Sequence, residues 1–263
     1  MDFRIGDYVS RISHKHDIVF KIVGFDKDIV YLYGVDFRLC ADSKVDDLVK
    51  VEDYSNDEDR KIVQENIRDY KFDRNQFFYL PGKILHIDSD GDYLDRCMDF
   101  YKNMNIKANG IVILETEVAD RIYDLLVQYR PDIVVITGHD SYNNKDINSI
   151  DNYENTINYI NAVKAARKYE RSQDKLIIIA GACQSNYEEL IKAGANFASS
   201  PKRVNIHALD PAIIASSIAL SDKHENIELI KIIDKTKYGK DGVGGIISNG
   251  TMYVGYPRWC WIV

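Results

Sequence analysis

Four apolar blocks between residues 83 and 180 restrict the fold of this chain more than any other feature. They are "KILHID" (Lys83–Asp88), "ANGIVIL" (Ala108–Leu114), "DIVVIT" (Asp132–Thr137) and "KLIIIA" (Lys175–Ala180). Each runs nearly continuously apolar, the pattern of strands buried on both faces of a parallel sheet. Stretches with helical period separate them: "YLDRCMDFYKNM", "ADRIYDLLVQY" and "YENTINYINAVKAARKYE". "SNYEELIKAG" and "DPAIIASSIAL" follow as two more helices, and "GVGGIISNGTMYVGYP" reads as a closing glycine-rich hairpin. Strand and helix in alternation predict an α/β domain with right-handed crossovers, over residues 81–263.

Residues 1–52 follow a different rule. "DYVSRI", "DIVFKIVGFD", "DIVYLYGVDFRL" and "DLVKV" are rich in Val, Ile and Tyr and are broken by Gly6, Gly24 and Gly34. So many short strands in so short a span predict a small antiparallel β-barrel of SH3-like type, an accessory or docking module. Residues 53–80 are dense in charge and hold no glycine or proline. Ile62, Val63, Ile67 and Tyr70 fall near helical spacing, so a helical charged linker is expected before the break at Pro81-Gly82. A chain of 263 residues accommodates one large domain and one small module.

Net charge is −7, which gives no general affinity for nucleic acid or an anionic membrane. No apolar run approaches the roughly 20 residues of a spanning helix. The start, "MDFRIGDYVSR", lacks the basic-then-apolar layout of a signal peptide, so a cytoplasmic protein is expected. Cys40, Cys97, Cys183 and Cys260 are scattered without a CxxC pair, and neither a zinc site nor a disulfide framework is expected. No metal or other cofactor is implied.

Two of the apolar blocks end alike. "DIVVIT" runs into Gly138 and His139, and "KLIIIA" into Gly181, Ala182 and Cys183. In an open parallel sheet ligands lie outside the carboxyl ends of the strands, and consecutive strands are often neighbours. His139 and Cys183 are therefore expected to face each other as base and nucleophile. An imidazole raises the thiolate fraction of a thiol and can later protonate the leaving amine. The helix that starts near Ser185 or Asn186 is expected to add its dipole. The separation, 183 − 139 = 44 residues, and Gln184 after the cysteine both fit a caspase-type signature.

On these residues the chain resembles the caspase, clostripain and gingipain clan of cysteine peptidases. "PGKILHIDSDGDYL", "PDIVVITGHDS", "AGACQSNYEELIKAGANFASSPKRVNIHALDP" and "GVGGI" resemble, more narrowly, the YabG family of sporulation-specific cysteine proteases. The resemblance covers nearly the whole chain. It implies a caspase-like sheet of mostly parallel strands flanked by helices. It further implies a peptidase of the mother-cell cytoplasm, associated with the spore coat, that cuts spore coat and cortex-associated proteins after arginine. The clan usually has glycine after the histidine, where this chain has Asp140. The backbone N–H groups of Asp140 and Cys183 are expected to form the oxyanion hole.

An arginine-preferring pocket needs a buried carboxylate, since bidentate pairing to guanidinium is strong and directional. "HIDSDGD" offers Asp88 first and Asp90 second, against the alternative of a solvated turn that caps the next helix. Ser199 and Ser200 of "ASSPKRVNIHALDP" are expected to line the substrate cleft, and His207 there competes with His139 as base. His86, inside its strand, reads as a packed core histidine. Arg60, Arg68 and Arg74 make the linker the expected place of self-cleavage, after Arg68 or Arg74. Two other classes stay open: a Cys-dependent α/β hydrolase or amidotransferase acting on a small molecule, and a non-catalytic coat-assembly protein.

Overall fold

The computed structural model describes residues 3–52, 54, 57–69, 75–143 and 145–258. Alternating burial organises the N-terminal part. β1 (Tyr8–Arg11), β2 (Val19–Asp26), β3 (Ile29–Gly34), β4 (Cys40–Lys44) and β5 (Leu48–Lys50) form an antiparallel sheet in the order β4-β3-β2-β1-β5. Val9, Phe20, Ile22, Val30, Leu32 and Leu48 make a core of their own beneath it. The expected single strand over residues 28–39 stops at Gly34. There the chain turns, with Gly34 N donating to Leu39 O at 2.7 Å, and a Cβ on Gly34 would collide with the Phe37 carbonyl. Residues 35–39 become a strap that leaves the module.

The linker carries α1 (Asp57–Asp69), as the helical spacing predicts. Arg74 lies outside the described residues, as does the side chain of Arg68. β6 (Phe78–Leu80) then pairs antiparallel with β13 (Tyr253–Gly255) near the other end of the chain.

The remaining strands build one six-stranded sheet: β7 (Ile84–Asp88), β8 (Ala108–Val112), β9 (Ile133–Thr137), β10 (Ile177–Ala180), β11 (Phe197–Ser199) and β12 (Val243–Gly245). Their order is β12-β11-β10-β9-β7-β8, parallel except for β12. The closing hairpin expected from "GVGGIISNGTMYVGYP" does not form. β12 instead adds to the sheet edge, where a Cβ on Gly245 would sit 2.6 Å from the Phe197 ring and 2.7 Å from Asn196 O. Only glycine permits that approach.

β7, β9 and β10 are buried at every position and feed two cores. Ile84, Ile133, Val135, Ile177 and Ile179 face α2 (Gly91–Asn103), α6 (Asp210–Ala219) and α7 (Leu229–Ile233). Leu85, Ile87, Val134, Ile136, Ile178 and Ala180 face α3 (Glu115–Tyr129), α4 (Thr156–Tyr169) and α5 (Tyr187–Ala193). From β7 the chain moves outward to β8, then returns to β9 on the other side, so the strand order reverses between β7 and β9. Such a switch point opens a crevice at the carboxyl ends of the strands.

Asp140 ties the loops above that edge together. Its buried carboxylate accepts from Ser141 N (2.9 Å), Asn155 N (2.7 Å), Ser185 Oγ (2.7 Å) and the Thr156 hydroxyl. The loop after β9, the start of α4 and the loop after β10 thus share one acceptor. Burial raises the carboxyl's pKa, and these hydrogen bonds pull against it. Asp140→Ala leaves several donors unpaired at roughly 1–3 kcal/mol each. We predict a melting temperature lower by at least about 5 °C, checked by calorimetry; an unchanged melt would show that the loops hold without the clamp.

Candidate active site

The nucleophile candidate stands on a loop that local sterics dictate. Gly181 has φ +101°, and a Cβ there would approach Leu190 Cδ1 to 2.8 Å. The Gly-Ala step therefore lets the chain leave β10 sharply. Gln184, next to Cys183, also adopts a positive φ of 59°, a strained conformation for a side-chain-bearing residue. Its neighbours hold it there. Gln184 N donates to Ser200 Oγ (3.0 Å) and Val204 O (3.2 Å). The side chain accepts from Tyr142 N (3.1 Å) and donates to Asn205 Oδ1 (3.1 Å), joining this loop to the histidine's. Ser200 donates to Val204 O (2.6 Å) and Ser199 to Gly181 O (3.3 Å), both from buried positions. The two serines brace the cysteine loop.

Cys183 itself is fully buried, and its sulfur accepts the Ile206 N–H at 3.3 Å. Burial pushes the thiol up to about 12, against the pull of the Ile206 N–H and of the Arg38 charge and backbone. His139 is seated by different groups. Its backbone N–H donates to Glu115 Oε1 (2.8 Å), which also lies 3.7 Å from the ring Nδ1. Ser89 Oγ is 3.4 Å from Nδ1 and donates to the same carboxylate at 2.6 Å. Nε2 lies 3.8 Å from Asp90 Oδ2, and the ring meets Tyr33 and Tyr93 at 5.9 and 6.1 Å. Burial works against the imidazolium, but Cys40, Glu115 and Asp90 near the ring outweigh it and raise the pKa to about 10. Glu115 is held down at about 2, despite burial, chiefly by His139 and Ser89. The neighbouring carboxylates thus favour the charged form of the imidazole.

Among the described residues no hydrogen bond joins Cys183 to His139. The strap stands at both. Arg38 lies within electrostatic reach of the cysteine, and Cys40, the first residue of β4, within reach of the histidine.

Asp88 ends β7 with no exposed surface. Its Oδ1 accepts from Asp90 N (3.1 Å), and its Oδ2 pairs with Arg38 Nη1. Arg38, equally buried, donates through Nη2 to Ala208 O at 3.1 Å, and its guanidinium carbon lies 4.9 Å from the Tyr93 ring. The cradle thus offers a carboxylate, a carbonyl and an aromatic face, each suited to guanidinium. Asp90 is the N-cap of α2, accepting from Tyr93 N at 3.1 Å. His86 is packed in the core with Nδ1 2.9 Å from Tyr101 OH, and burial drops its pKa well below the ordinary value. His207 accepts Leu209 N on Nδ1 (3.2 Å); burial lowers its pKa too.

Sequence reasoning missed Glu115, Arg38, Tyr93 and Cys40. Glu115 carried a signal, since it follows the block "ANGIVIL" and so stands at a strand's carboxyl end. The other three belong to a module or helix with no local mark of chemistry. Free thiols stand at Cys40, Cys97 and Cys183, while Cys260 lies outside the described residues.

Over residues 4–257 the chain matches the family model described as YabG peptidase U57. The Sporulation-specific protease YabG of Bacillus subtilis (strain 168) is 38% identical over 286 aligned positions, which span 98% of this chain and 99% of that relative. The match covers the N-terminal sheet, the linker and the α/β part alike. This chain therefore belongs to the YabG family of sporulation-specific proteases and is a peptidase.

Proposed function

We propose that this peptidase is a cysteine endopeptidase of caspase-like type that cuts spore coat and cortex-associated proteins after arginine, with Cys183 and His139 as its dyad. One observation carries the reading: a fully buried carboxylate, Asp88, lies under a guanidinium at the switch point, on the sheet edge that also carries His139 and Cys183. The enzyme works in the mother-cell cytoplasm and in contact with the coat. Among the described residues no helix is long and apolar enough to cross a membrane. The N-terminal sheet belongs to an SH3-like barrel that docks onto the peptidase part.

In this mechanism the Cys183 thiol gives its proton to solvent as the cleft opens and the burial that holds it protonated is lost. The thiolate, held near the His139 imidazolium, then attacks the carbonyl carbon that follows the bound arginine side chain. The C–N bond breaks, and the His139 imidazolium gives its proton to the leaving amine. Water, deprotonated by the now neutral imidazole, cleaves the acyl-enzyme and restores the thiolate. The backbone N–H groups of Cys183 and Asp140 make no hydrogen bond among the described residues and receive the oxyanion. The Asp140 carboxylate does not oppose that charge, because it is turned into the loop clamp. Glu115 orients His139, and the loop braced by Ser199 and Ser200 walls the cleft. The chemistry uses protein groups alone.

Cys183→Ala and His139→Ala should each lower hydrolysis of a peptidyl-arginine substrate by at least about 10³-fold while the far-UV spectrum is kept. Near-normal turnover in either variant would remove that residue from the dyad. Asp88→Asn should reduce the preference for arginine over a neutral side chain before the cut by about 10²-fold, since a charged partner is lost from a buried site. The ratio of the two kcat/KM values is the proper readout, and an unchanged ratio would place the arginine pocket elsewhere.

A further inference from the structure

The cradle around Asp88 is already filled, and by the chain itself. Arg38 reaches it from the strap, whose main chain lies along the cleft as a peptide would. Asp36 O accepts from Ala208 N at 2.9 Å, and Phe37 forms an isolated antiparallel bridge with His207. The Tyr93 hydroxyl donates to both Gly34 O and Phe37 O (2.7 Å to the latter). The Phe37 ring packs edge-on against His207 at 6.3 Å and stacks on Tyr238 at 6.1 Å. Backbone pairing with an edge, plus one side chain in a specific pocket, is how proteins hold extended peptides.

We propose that Asp36–Leu39 is a tethered substrate mimic, with Arg38 in the arginine subsite, that closes the cleft until the N-terminal sheet lifts away. The proposal rests on the reading of Cys183 as nucleophile and of Asp88 as the arginine subsite. Two features argue that the occupant blocks rather than turns over. The strap folds tightly at Arg38, with Leu39 N donating back to Phe37 O at 2.8 Å. Cys183, beneath it, has no exposed surface. A protein substrate must displace the strap, so turnover scales with the fraction of molecules in which it has left. The same contacts assign Tyr93 and the Ala208 carbonyl to the subsite that an incoming arginine would enter.

The test is the rate at which iodoacetamide alkylates Cys183 in the full-length protein, followed by peptide mass spectrometry. This small reagent needs no arginine subsite. Arg38→Ala empties the cradle, and Tyr93→Phe keeps the ring but removes the hydroxyl that holds two strap carbonyls. Both should alkylate at least about tenfold faster than wild type, in proportion to the open fraction. Arg38→Ala leaves Asp88 buried without its partner, so should it fail to fold, Tyr93→Phe decides. Wild-type alkylation rates in the folded variants, whatever their loss of stability, would reduce Arg38 to a structural ion pair and overturn the proposal. A peptidyl-arginine assay run on Cys183→Ala separates the two layers: activity that survives there defeats the dyad reading itself, whereas abolished activity with unchanged alkylation rates defeats only the tethered mimic.

Discussion

A carboxylate with no exposed surface at the end of a strand needs a partner for its charge, and Arg38 is that partner for Asp88. Removing one partner of such a pair leaves a buried charge uncompensated, at a cost of about 3–5 kcal/mol. Much of the architecture follows from that single demand. The guanidinium must arrive from 50 positions earlier in the chain, so the strap has to leave β3 at Gly34 and cross the sheet edge. The N-terminal sheet is thereby fixed over the switch point. Arg96 secures the same junction, with its guanidinium on Asp59 of α1 (2.8 Å) and on the Val35 carbonyl.

The parallel sheet supplies the complementary constraint. Because β7, β9 and β10 are buried on both faces, side-chain chemistry can emerge only at their ends. The two cores divide those ends. Ile84 points toward α2 and α6, so His86 and Asp88, two and four residues on, point the same way. This parity puts the acidic cradle beside α2, which brings Tyr93 and Cys97 to it. His139 and Cys183 rise on loops instead, and those loops are rigid because Asp140 and Gln184 each bridge them. The polar groups are positioned by hydrogen bonds that the apolar layers leave no room to vary.

Much of this was legible from residue patterns. Three of the blocks mark β7, β9 and β10 because an unbroken β-branched run has few alternatives to a doubly buried strand. "ANGIVIL" instead gives β8, an edge strand with none of its five residues buried, not the doubly buried strand expected. Period marks the helices α2 to α5, whereas α6, buried at all ten of its positions, has no polar face to show one. β4, "CADSK", escaped, since only one of its five residues is buried and its sequence reads as a polar loop. β11 escaped because three residues carry no period, and β12, expected in a hairpin, pairs with β11 instead because its glycines tolerate Phe197. At the site, Gly-His and Gly-Ala-Cys announce themselves by where their strands stop, and Asp88 by ending "KILHID". Nothing local announces Arg38. Its role is set by a partner across the fold, and "DFRL" is compatible with any surface turn. The placement of Cys40 against His139 is hidden for the same reason.

In the proposed mechanism Cys183 attacks a peptide whose arginine side chain is read by Asp88. The most direct measurement is covalent capture with a peptidyl-arginine acyloxymethyl ketone, followed by mass spectrometry of the labelled peptide. A single adduct on Cys183 is expected, with none on Cys183→Ala and little labelling by the matching peptidyl-leucine reagent. An adduct on Cys40, or equal labelling by the arginine and leucine reagents, would contradict the mechanism.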